Sequence, residues 1–444
     1  MSRGLRVKVR PALPAGFRDF GPAEVRLRRH MLHTLQTLFE LYGYEPLETP
    51  AVELLSVLTG KYGDEGDKLL FRILNSGDFL AEVPEEARTS SDRLLPYITE
   101  KALRYDLTVP MARWVAQHAG ELTFPFKRYQ MQPVWRADRP QRGRFREFYQ
   151  CDVDIVGGEG PTALFEMVEL ARAVLNALDL EGAIFHLNHR GLLEHAAATI
   201  RWPKERFSDF CTLLDKADKI GWEAVEGLFQ ELGYELPQWL KPERGLSSTL
   251  IQEMQAIPAL AEDLPVVQEL LATSDAKLQV QWDPTLARGL DYYTGYIYEI
   301  RLPKSGLGSI AAGGAYASLV SDFGGPALPA IGLSFGIERL FAIIEGRLAV
   351  PTSPPPILVA WIDASPGYIQ RIVRTLHEAK LAAFAYPAPR KLSRQLEYAQ
   401  RRNLEWVVIA GAAEEASQTV QLRHLPRRTQ TTLPLHALAS ACRQ

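Results

Sequence analysis

The chain has 444 residues, 46% of them hydrophobic, and a formal net charge of −3. This composition is typical of a soluble globular protein, and the length predicts two to four domains. The cysteines, Cys151, Cys211 and Cys442, lack CxxC spacing, which argues against a disulfide framework or a structural zinc site and favours a reducing, cytoplasmic setting. No apolar signal core follows the basic N-terminus and no apolar run approaches 18 residues, so we expect neither a secretory signal nor a membrane span.

The charge is unevenly distributed along the chain. Residues 357–444 contain 12 Lys or Arg and 6 Asp or Glu, a balance of +6 that leaves −9 for the rest of the chain. A basic module on an acidic body is compatible with a nucleic-acid contact on one domain. A solvated basic face explains the same balance, so the charge alone leaves both interpretations open.

The first half of the chain predicts an antiparallel sheet flanked by helices, an α+β domain. Apolar residues recur at helical spacing over 22–43, and Gly43 ends the pattern. Prolines make 44–53 an extended segment. Further helices are predicted over 161–179 and 332–346. Six strand-like runs supply the sheet: 69–74, 126–137, 145–157, 183–189, 292–302 and 308–314.

The second half predicts an insertion, a linker and another domain. Residues 196–275 show helical periodicity and few strand patterns, which indicates a helical insertion between two parts of the sheet domain, 1–195 and 276–347. The proline-rich stretch 348–356 is typical of a linker. Strands and helices then alternate over 357–444, as expected of βαβ units in an α/β domain with a parallel sheet.

The segment 136–154, RADRPQRGRFREFYQCDVD, reverses its charge along its length. Guanidinium groups bind phosphate oxygens bidentately, so its first part predicts a polyanion such as ATP or a nucleic-acid end, although a solvated turn has the same pattern. Strand alternation then places Gln150 and Asp154 on one face, about 13 Å apart at ~3.3 Å per residue, which suits the two ends of a small amino acid. The arginines of this segment are Arg136, Arg139, Arg142, Arg144 and Arg146.

Three further motifs are weaker when taken alone. In LRYDLTVP, Asp106 and Thr108 would share a face of a strand, where a carboxylate and a hydroxyl can hold an ammonium group. In ARGLDYYTG, Arg288 suits a carboxylate or phosphate and the two tyrosines suit a polar ring, although tyrosines in strands are usually packing residues. Glycine pairs within 311–331 permit a flat ligand to approach the backbone, but they are also common in purely structural turns.

Together, these motifs resemble the histidyl-tRNA synthetases, a family of class II aminoacyl-tRNA synthetases, over essentially the whole chain. The family's motifs occur in the family's order: PAGFRDF, the last proline of YEPLETP, LRYDLTVP, the arginine-rich hairpin VWRADRPQRGRFREFYQCDVDIVG, ARGLDYYTG and GLSFGIERL. RGLDYYTG is the most specific of them. LRYDLTVP and FREFYQCDVD are similar to the eukaryote-like branch. The resemblance implies a class II catalytic domain, an anticodon-binding domain at 357–444, a homodimer, and ligation of L-histidine to tRNA(His) with ATP and Mg²⁺.

The resemblance also implies which residues bind histidine. Asp106, Thr108 and Gln150 would hold the ammonium group, while Asp154 and Tyr293 would meet the two imidazole nitrogens. A pocket with two such polar partners rejects analogues that leave them unpaired. The full set assigned to histidine is Asp106, Thr108, Gln150, Asp154, Tyr292, Tyr293 and Tyr316.

For ATP, the resemblance implies a set of arginines and no metal-ligating residue. Arg136 would contact the α-phosphate, Arg339 the far phosphates, and Arg144, with Arg142, either ATP or the end of the tRNA. Arg288 would stabilise the charge that develops around the α-phosphate when the histidine carboxylate attacks it. Arg288 and Arg136 are therefore the catalytic candidates, since chemistry of this kind consists mainly of positioning and charge stabilisation.

One departure and two alternatives accompany this interpretation. The family usually has GGRYD where this chain has GGAYA, so Ala315 and Ala317 replace two charged residues while Tyr316 is kept. A non-catalytic paralogue, such as the regulatory subunit of ATP phosphoribosyltransferase, typically lacks both the catalytic arginine and the C-terminal domain, whereas Arg288 and 357–444 are present here. A general nucleic-acid scaffold would leave the histidine motifs unexplained.

Overall fold

A computed structural model describes residues 11–141, 143–158, 160–242, 245–287, 292–347 and 355–443. The chain divides into two compact units, Met1–Val350 and Pro351–Gln444. Most of the predicted linker, 348–356, lies outside the described residues. No helix in the described ranges is long and apolar enough to cross a membrane.

The first unit combines a large sheet, a small sheet and helices around one continuous apolar core. Its described helices are α1 (Pro22–Leu41), α2 (Leu55–Leu58), α3 (Gly63–Asp67), α4 (Ser91–Ile98), α5 (Thr108–His118), α6 (Pro161–Ala177), α7 (Arg190–Thr199), α8 (Phe207–Leu214), α9 (Ala217–Ile220), α10 (Trp222–Glu231), α11 (Ser248–Gln255), α12 (Pro258–Ala272) and α13 (Ile337–Ile344). Its described strands are β1 (Glu45–Pro46), β2 (Val52–Leu54), β3 (Arg72–Ile73), β4 (Lys101–Leu103), β5 (Phe126–Trp135), β6 (Glu147–Val156), β7 (Ala183–His189), β8 (Leu278–Trp282), β9 (Tyr296–Arg301), β10 (Ala311–Tyr316) and β11 (Ala330–Gly336).

The large sheet has the strand order β1-β5-β6-β11-β10-β9-β7-β8. Its interior pairs are antiparallel, and only the outermost pairs, β1 with β5 and β7 with β8, run parallel. The predicted α+β class is therefore confirmed, with a sheet that is mixed at its edges. A second sheet of three short strands has the order β2-β4-β3.

Some predicted elements were wrong in type or extent. The helix predicted over 332–346 begins only at Ile337, because residues 330–336 form strand β11 in the middle of the sheet. A short apolar run fits a buried strand as well as a buried helix, so periodicity could not separate the two. Asp106 and Thr108 do not lie in a strand, since Thr108 is the first residue of α5. Strands β3 and β9 are also shorter than the predicted runs, and β9 begins only at Tyr296.

Residues 196–275 contain helices and, apart from residues 243–244 that are not described, no strand. Their buried aromatic side chains, among them Phe210, Trp222 and Phe229, belong to the same apolar cluster as the sheet. The limits of this region as a separate insertion stay a prediction.

The second unit is an α/β structure with the strand order β13-β12-β14-β15-β16. Strands β12, β13 and β14 are parallel, as the βαβ pattern predicts, and β15 and β16 add an antiparallel hairpin that was not predicted. Apolar clusters cover both faces of the sheet. The described elements are β12 (Ile357–Ile362), α14 (Pro366–Glu378), β13 (Ala383–Ala385), α15 (Leu392–Arg401), β14 (Trp406–Gly411), α16 (Ala412–Ser417), β15 (Thr419–His424), β16 (Thr429–Pro434) and α17 (Leu438–Ala441).

Candidate active site

A cavity of about 290 Å³ lies over the centre of the large sheet, on the face formed by β6, β11 and β10. It brings together every described residue that was predicted to bind histidine or ATP. Arg288 lies outside the described residues, as does Arg142. The predicted residues that line the cavity are Asp106, Thr108, Arg136, Arg144, Gln150, Asp154, Tyr292, Tyr293, Tyr316 and Arg339.

The pleat of β6 explains how distant polar groups reach one cavity. Alternate residues of a strand share a face, and Gln150, Asp152 and Asp154 all point into this cavity. Neighbouring strand β11 places Gly332 directly beside Asp154. A Cβ atom at position 332 would lie 2.0 Å from Asp154 Oδ1, so only glycine leaves room for the carboxylate.

The same kind of space is made for a tyrosine. Gly314 in β10 lies under the ring of Tyr293, and a Cβ atom there would come within 2.6 Å of that ring. The ring of Tyr292 lies 4.8 Å from that of Tyr293 and 6.0 Å from that of Tyr316. Three tyrosines that precede or end strands therefore form one wall of the cavity.

Asp154 is held by two partners at the bottom of the cavity. Its Oδ1 accepts a hydrogen bond of 2.5 Å from the hydroxyl of Tyr316, and its Oδ2 lies 2.7 Å from Nη2 of Arg128. Arg128, in β5, is completely buried. Burial raises the pKa of Asp154, while Arg128 and then the Tyr316 hydroxyl act in the opposite direction. This end of the cavity thus contains a buried ion pair.

Asp152 lies between Gln150 and Asp154 on the cavity wall. Its side chain is buried, and neither carboxyl oxygen accepts a hydrogen bond of good geometry from the described residues. Burial raises the pKa of Asp152 to about 7; Arg128 lowers it and the neighbouring charge of Asp154 adds to the increase. Asp152 can therefore hold or release a proton near neutral pH.

Asp106 approaches the cavity from the start of α5. Its Oδ1 accepts hydrogen bonds from the Tyr62 hydroxyl, at 2.9 Å, and from the Val109 backbone N–H, at 3.1 Å. Its Oδ2 has no partner among the described residues. Burial raises the pKa of Asp106, and Arg136 opposes this increase. Asp106 and Thr108 share the cavity because a helix start, rather than a strand, presents both.

The arginine end of the cavity is built differently. Arg136 donates from Nε to the Tyr105 carbonyl at 3.0 Å, and its guanidinium lies 4.2 Å from the centre of the Tyr105 ring. Arg339 donates to the backbone carbonyl of Ser309. Arg144, whose side chain is 49% exposed, pairs with Asp138 at 3.0 Å. Arg136 and Arg339 are thus fixed by backbone carbonyls and Arg144 by a carboxylate, and all three guanidinium groups line the cavity, where such groups suit an anion.

The other described arginines of the hairpin have different surroundings. Arg139 is exposed and Arg146 is half-buried, and neither lines the cavity. Arg146 donates from Nε to the Asp138 carbonyl at 3.0 Å, and its backbone N–H donates to the Gly16 carbonyl at 2.8 Å. Arg146 therefore supports the hairpin rather than the cavity.

Sequence reasoning assigned no role to Arg128, Asp152 or Glu338. Glu338 lines the cavity, pairs with buried Arg28 at 2.9 Å and accepts from the Tyr149 backbone N–H at 3.0 Å. The alternation of β6 did place Asp152 on the cavity face. For Arg128 the available pattern was an arginine in register with Asp154 on the neighbouring strand, which becomes visible only when the strands are paired.

The substituted GGAYA segment keeps its cavity residues. Tyr316 and both glycines line the cavity, whereas Ala315 and Ala317 do not. Because side chains alternate along β10, the side chain of Ala315 lies on the other face of the sheet. The two lost charges therefore remove nothing from the cavity wall itself.

Comparison with known proteins identifies relatives along the whole length. A family model described as histidyl-tRNA synthetase matches residues 16–85 and 97–340, and a model described as anticodon binding domain matches residues 357–444. A histidine–tRNA ligase of Christiangramia forsetii is 40% identical over 454 residues, which covers 97% of this chain and 99% of that protein. One of Flavobacterium johnsoniae is 37% identical over 469 residues, covering 97% and 98%.

Solved structures agree with these relatives. The histidyl-tRNA synthetase of Nostoc sp. PCC 7120 superimposes with a TM-score of 0.70 at 27% identity, covering 98% of this chain and 99% of that chain. The apo histidyl-tRNA synthetase of S. aureus gives a TM-score of 0.65 at 18% identity, which supports the fold alone.

Proposed function

The chain belongs to the histidyl-tRNA synthetase family, and from this premise we propose that it activates L-histidine with ATP and transfers the histidyl group to the 3′ end of tRNA(His). The observation that carries the proposal is the cavity itself, which has buried carboxylates at one end and arginines at the other. An amino acid and a nucleotide need this division of charge if they are to meet in one site.

The buried end fits the polar groups of histidine. Asp106 Oδ2 and Gln150 Oε1 have no hydrogen-bond partner among the described residues. With the Thr108 hydroxyl, they provide acceptors for an ammonium group. Asp154 and Tyr293, which both line the cavity, would meet the two imidazole nitrogens. Because Asp154 is buried, an analogue without the ring nitrogens covers its carboxylate without replacing the lost contact and is rejected.

The arginine end fits the phosphates of ATP. Arg136 meets the α-phosphate, while Arg339 and Arg144 meet the phosphates farther from the ribose. A histidine carboxylate oxygen forms a bond to the α-phosphorus, the bond from that phosphorus to the bridging oxygen breaks, and diphosphate leaves with the electron pair. The carboxylate is already ionised, so the residues act by orientation and by stabilising charge, with Arg288 as the further cation.

Mg²⁺ arrives with the nucleotide in this proposal. The described residues contain no cluster of three or more His, Cys, Asp or Glu side chains that could hold a metal ion. Mg²⁺ is commonly bound through substrate phosphates with one or two carboxylates, so a dedicated protein site is not required. Bound to the phosphates, the ion would neutralise part of their charge.

The second unit supplies the contact with tRNA. It matches the anticodon-binding family over residues 357–444, and its charge of +6 suits a phosphate backbone. In the transfer step, a terminal ribose hydroxyl of the tRNA forms a bond to the acyl carbon of the adenylate, and the bond from that carbon to the phosphate oxygen breaks. AMP leaves with the electron pair, and the hydroxyl proton passes to a phosphate oxygen of the departing AMP.

A homodimer is part of the proposal, and strand β2 supports it. Val52 and Leu54 expose 40% and 55% of their surface, while Glu53 between them is buried against Arg113 at 2.6 Å. This is the reverse of the pattern that a surface strand normally has. A second copy of the chain would cover the two apolar side chains. Sedimentation equilibrium tests this: we expect a dimer for the unaltered protein and a monomer for Leu54→Asp.

Histidine-dependent ATP–diphosphate exchange, followed by charging of tRNA(His), tests the proposed reaction. We expect exchange in the unaltered protein and its near-complete loss in Arg288→Ala. Deletion of 357–444 should spare exchange and weaken charging. Histidine binding without exchange would instead favour a non-catalytic, histidine-sensing paralogue.

A further inference from the structure

The end of strand β7 holds the backbone that leads to Arg288. Asn188, one residue from the end of this strand, is completely buried. Its amide nitrogen Nδ2 donates two hydrogen bonds, one to the Pro284 carbonyl at 3.1 Å and one to the Leu286 carbonyl at 2.9 Å. Both hydrogens of one side-chain amide are thus used on the two carbonyls that flank Thr285.

Asp283 fixes the same turn from its other side. Its Oδ1 accepts from the Thr285 hydroxyl at 2.6 Å and from the Thr285 backbone N–H at 3.1 Å. Its own backbone N–H donates to the Leu187 carbonyl at 2.8 Å, and its Oδ2 lies 3.1 Å from Nδ1 of His186. The turn 283–287 is therefore tied to three consecutive residues of β7.

The backbone after the tyrosine pair is hydrogen-bonded to the residue that follows β7 and to strand β10. The Arg190 N–H donates to the Gly295 carbonyl at 2.9 Å, and the Thr294 N–H donates to the Ala315 carbonyl at 2.9 Å. Tyr292 and Tyr293 line the cavity immediately before these bonds. Residues 188–190 thus anchor the described chain on both sides of residues 288–291.

The amide of Asn188 is an expensive group to bury for packing alone. Its Oδ1 has no hydrogen-bond partner among the described residues, and an unpaired buried polar atom costs free energy. The side chain therefore contributes chiefly through its two donations. The second of these ends on Leu286, two residues before Arg288 in the chain.

We propose that Asn188 is a positioning residue for the activation step, which it serves by fixing the turn 283–287 and thereby the start of the segment with Arg288. The inference rests on the proposed function, because it requires Arg288 to act on the reacting phosphate. A displacement of about 1 Å in a catalytic group can reduce a rate about 100-fold. Asn188 itself does not line the cavity.

The test is steady-state exchange with full-length Asn188→Ala and Asn188→Asp. The second variant keeps the shape of the side chain and removes both N–H donors. We expect kcat to fall about 10- to 100-fold in both variants, in line with the loss of an outer partner of a site, and KM for histidine to stay within about threefold. Leu187→Ala is the matched control, because this neighbour is equally buried but its side chain lies on the opposite face of β7.

A double variant separates positioning from general damage. When Arg288 is already alanine, Asn188→Ala should cause no further loss in single-turnover adenylate formation. The inference is overturned if either Asn188 variant keeps the full kcat, if Leu187→Ala loses as much kcat, or if the losses of Asn188→Ala and Arg288→Ala multiply. Absence of exchange in the unaltered protein would overturn the proposed function instead, so the two failures are distinguishable.

Discussion

The two ends of the cavity are built on opposite principles. At the carboxylate end, Asp152 and Asp154 are buried together with Arg128, and the contacts are between side chains. At the arginine end, Arg136 and Arg339 bond to backbone carbonyls, and Arg144 is half-exposed. The charges at the first end are buried and neutralised by a neighbouring side chain, whereas those at the second end are cationic and partly exposed.

The difference follows from what each end would bind. A small ligand with few polar groups is distinguished only if the groups that meet it are fixed and dry. A polyphosphate carries many equivalent oxygens, so accessible guanidinium groups are sufficient. We therefore expect substitutions of Arg128 and Asp152, to which no ligand contact is assigned, to act mainly on stability and its pH dependence. Substitutions at the arginine end should act mainly on rate.

The largest effect is expected from Arg128→Met. Removing one partner of a buried ion pair leaves the charge of Asp154 uncompensated, which costs about 3–5 kcal/mol. Urea unfolding at a fixed protein concentration measures the loss. Arg401→Met is the control, since its pair with Glu397 is largely exposed and contributes under about 1 kcal/mol. Equal losses of unfolding free energy in the two variants would show that the buried pair contributes no more to stability than the exposed pair.

The Arg136→Ala variant examines the other end. The loss of a donor that meets developing charge reduces kcat by about 10²- to 10³-fold, whereas unfolding should shift little because the guanidinium is only half-buried. ATP–diphosphate exchange gives the rate, and Arg139→Ala, a change in the same hairpin outside the cavity, should leave it near the original value. A large loss of stability with normal exchange would show that Arg136 supports the fold and does not act in the reaction.

Unlike the arginine substitutions, a change at Asp152 should alter the pH dependence of stability. Folding raises its pKa from the ordinary value near 4 to about 7, so between these pH values only the unfolded chain ionises it freely. Stability therefore decreases as pH rises towards 7. Relative to Asp152→Asn, in which Arg128, Asp154 and Asp106 remain, the unaltered protein should lose about 2 kcal/mol between pH 5.5 and pH 8 in urea unfolding. A constant difference between the two proteins would contradict the raised pKa.

The smallest effect is expected from Arg144→Ala. This side chain is 49% exposed and pairs with Asp138, so its loss should change the unfolding free energy by less than about 1 kcal/mol. KM for ATP should rise about two- to fivefold, because one of several phosphate contacts is removed. Exchange measured over a range of ATP concentrations gives this value, and a fall in kcat as large as that of Arg136→Ala would show that the two arginines are not ranked as proposed.

The sequence predicted which residues of β6 face the cavity better than it predicted the buried residues that support them. The alternation of residues 148–154 correctly placed Gln150 and Asp154 on one face, because the pleat is a local property. Arg146, which the same alternation puts on that face, precedes the strand and does not line the cavity. Arg128 was missed because its burial depends on the pairing of β5 with β6, which no local pattern states. Asp106 and Thr108 reached the expected cavity through a helix start, a geometry that their i, i+2 spacing did not indicate.

The same limit explains the errors in the fold. Residues 330–336 are apolar and buried, and a strand in the middle of a sheet and a buried helix share that composition. In the second unit, the parallel strands were correct because they are separated by α14 and α15, two helices of clear periodicity. Strand β16, TQTTLP, has almost no apolar residue facing a core, so hydrophobic patterning contained no evidence for it.

The reversed pattern of β2 has a consequence for how the protein responds to dilution. A strand that buries Glu53 and turns Val52 and Leu54 outward gains hydrophobic stabilisation from those two side chains only when something covers them. If that cover is a second copy, mass action links assembly to folding, and the midpoint of thermal unfolding rises with protein concentration. The protein's own abundance would then set how stable each of its molecules is.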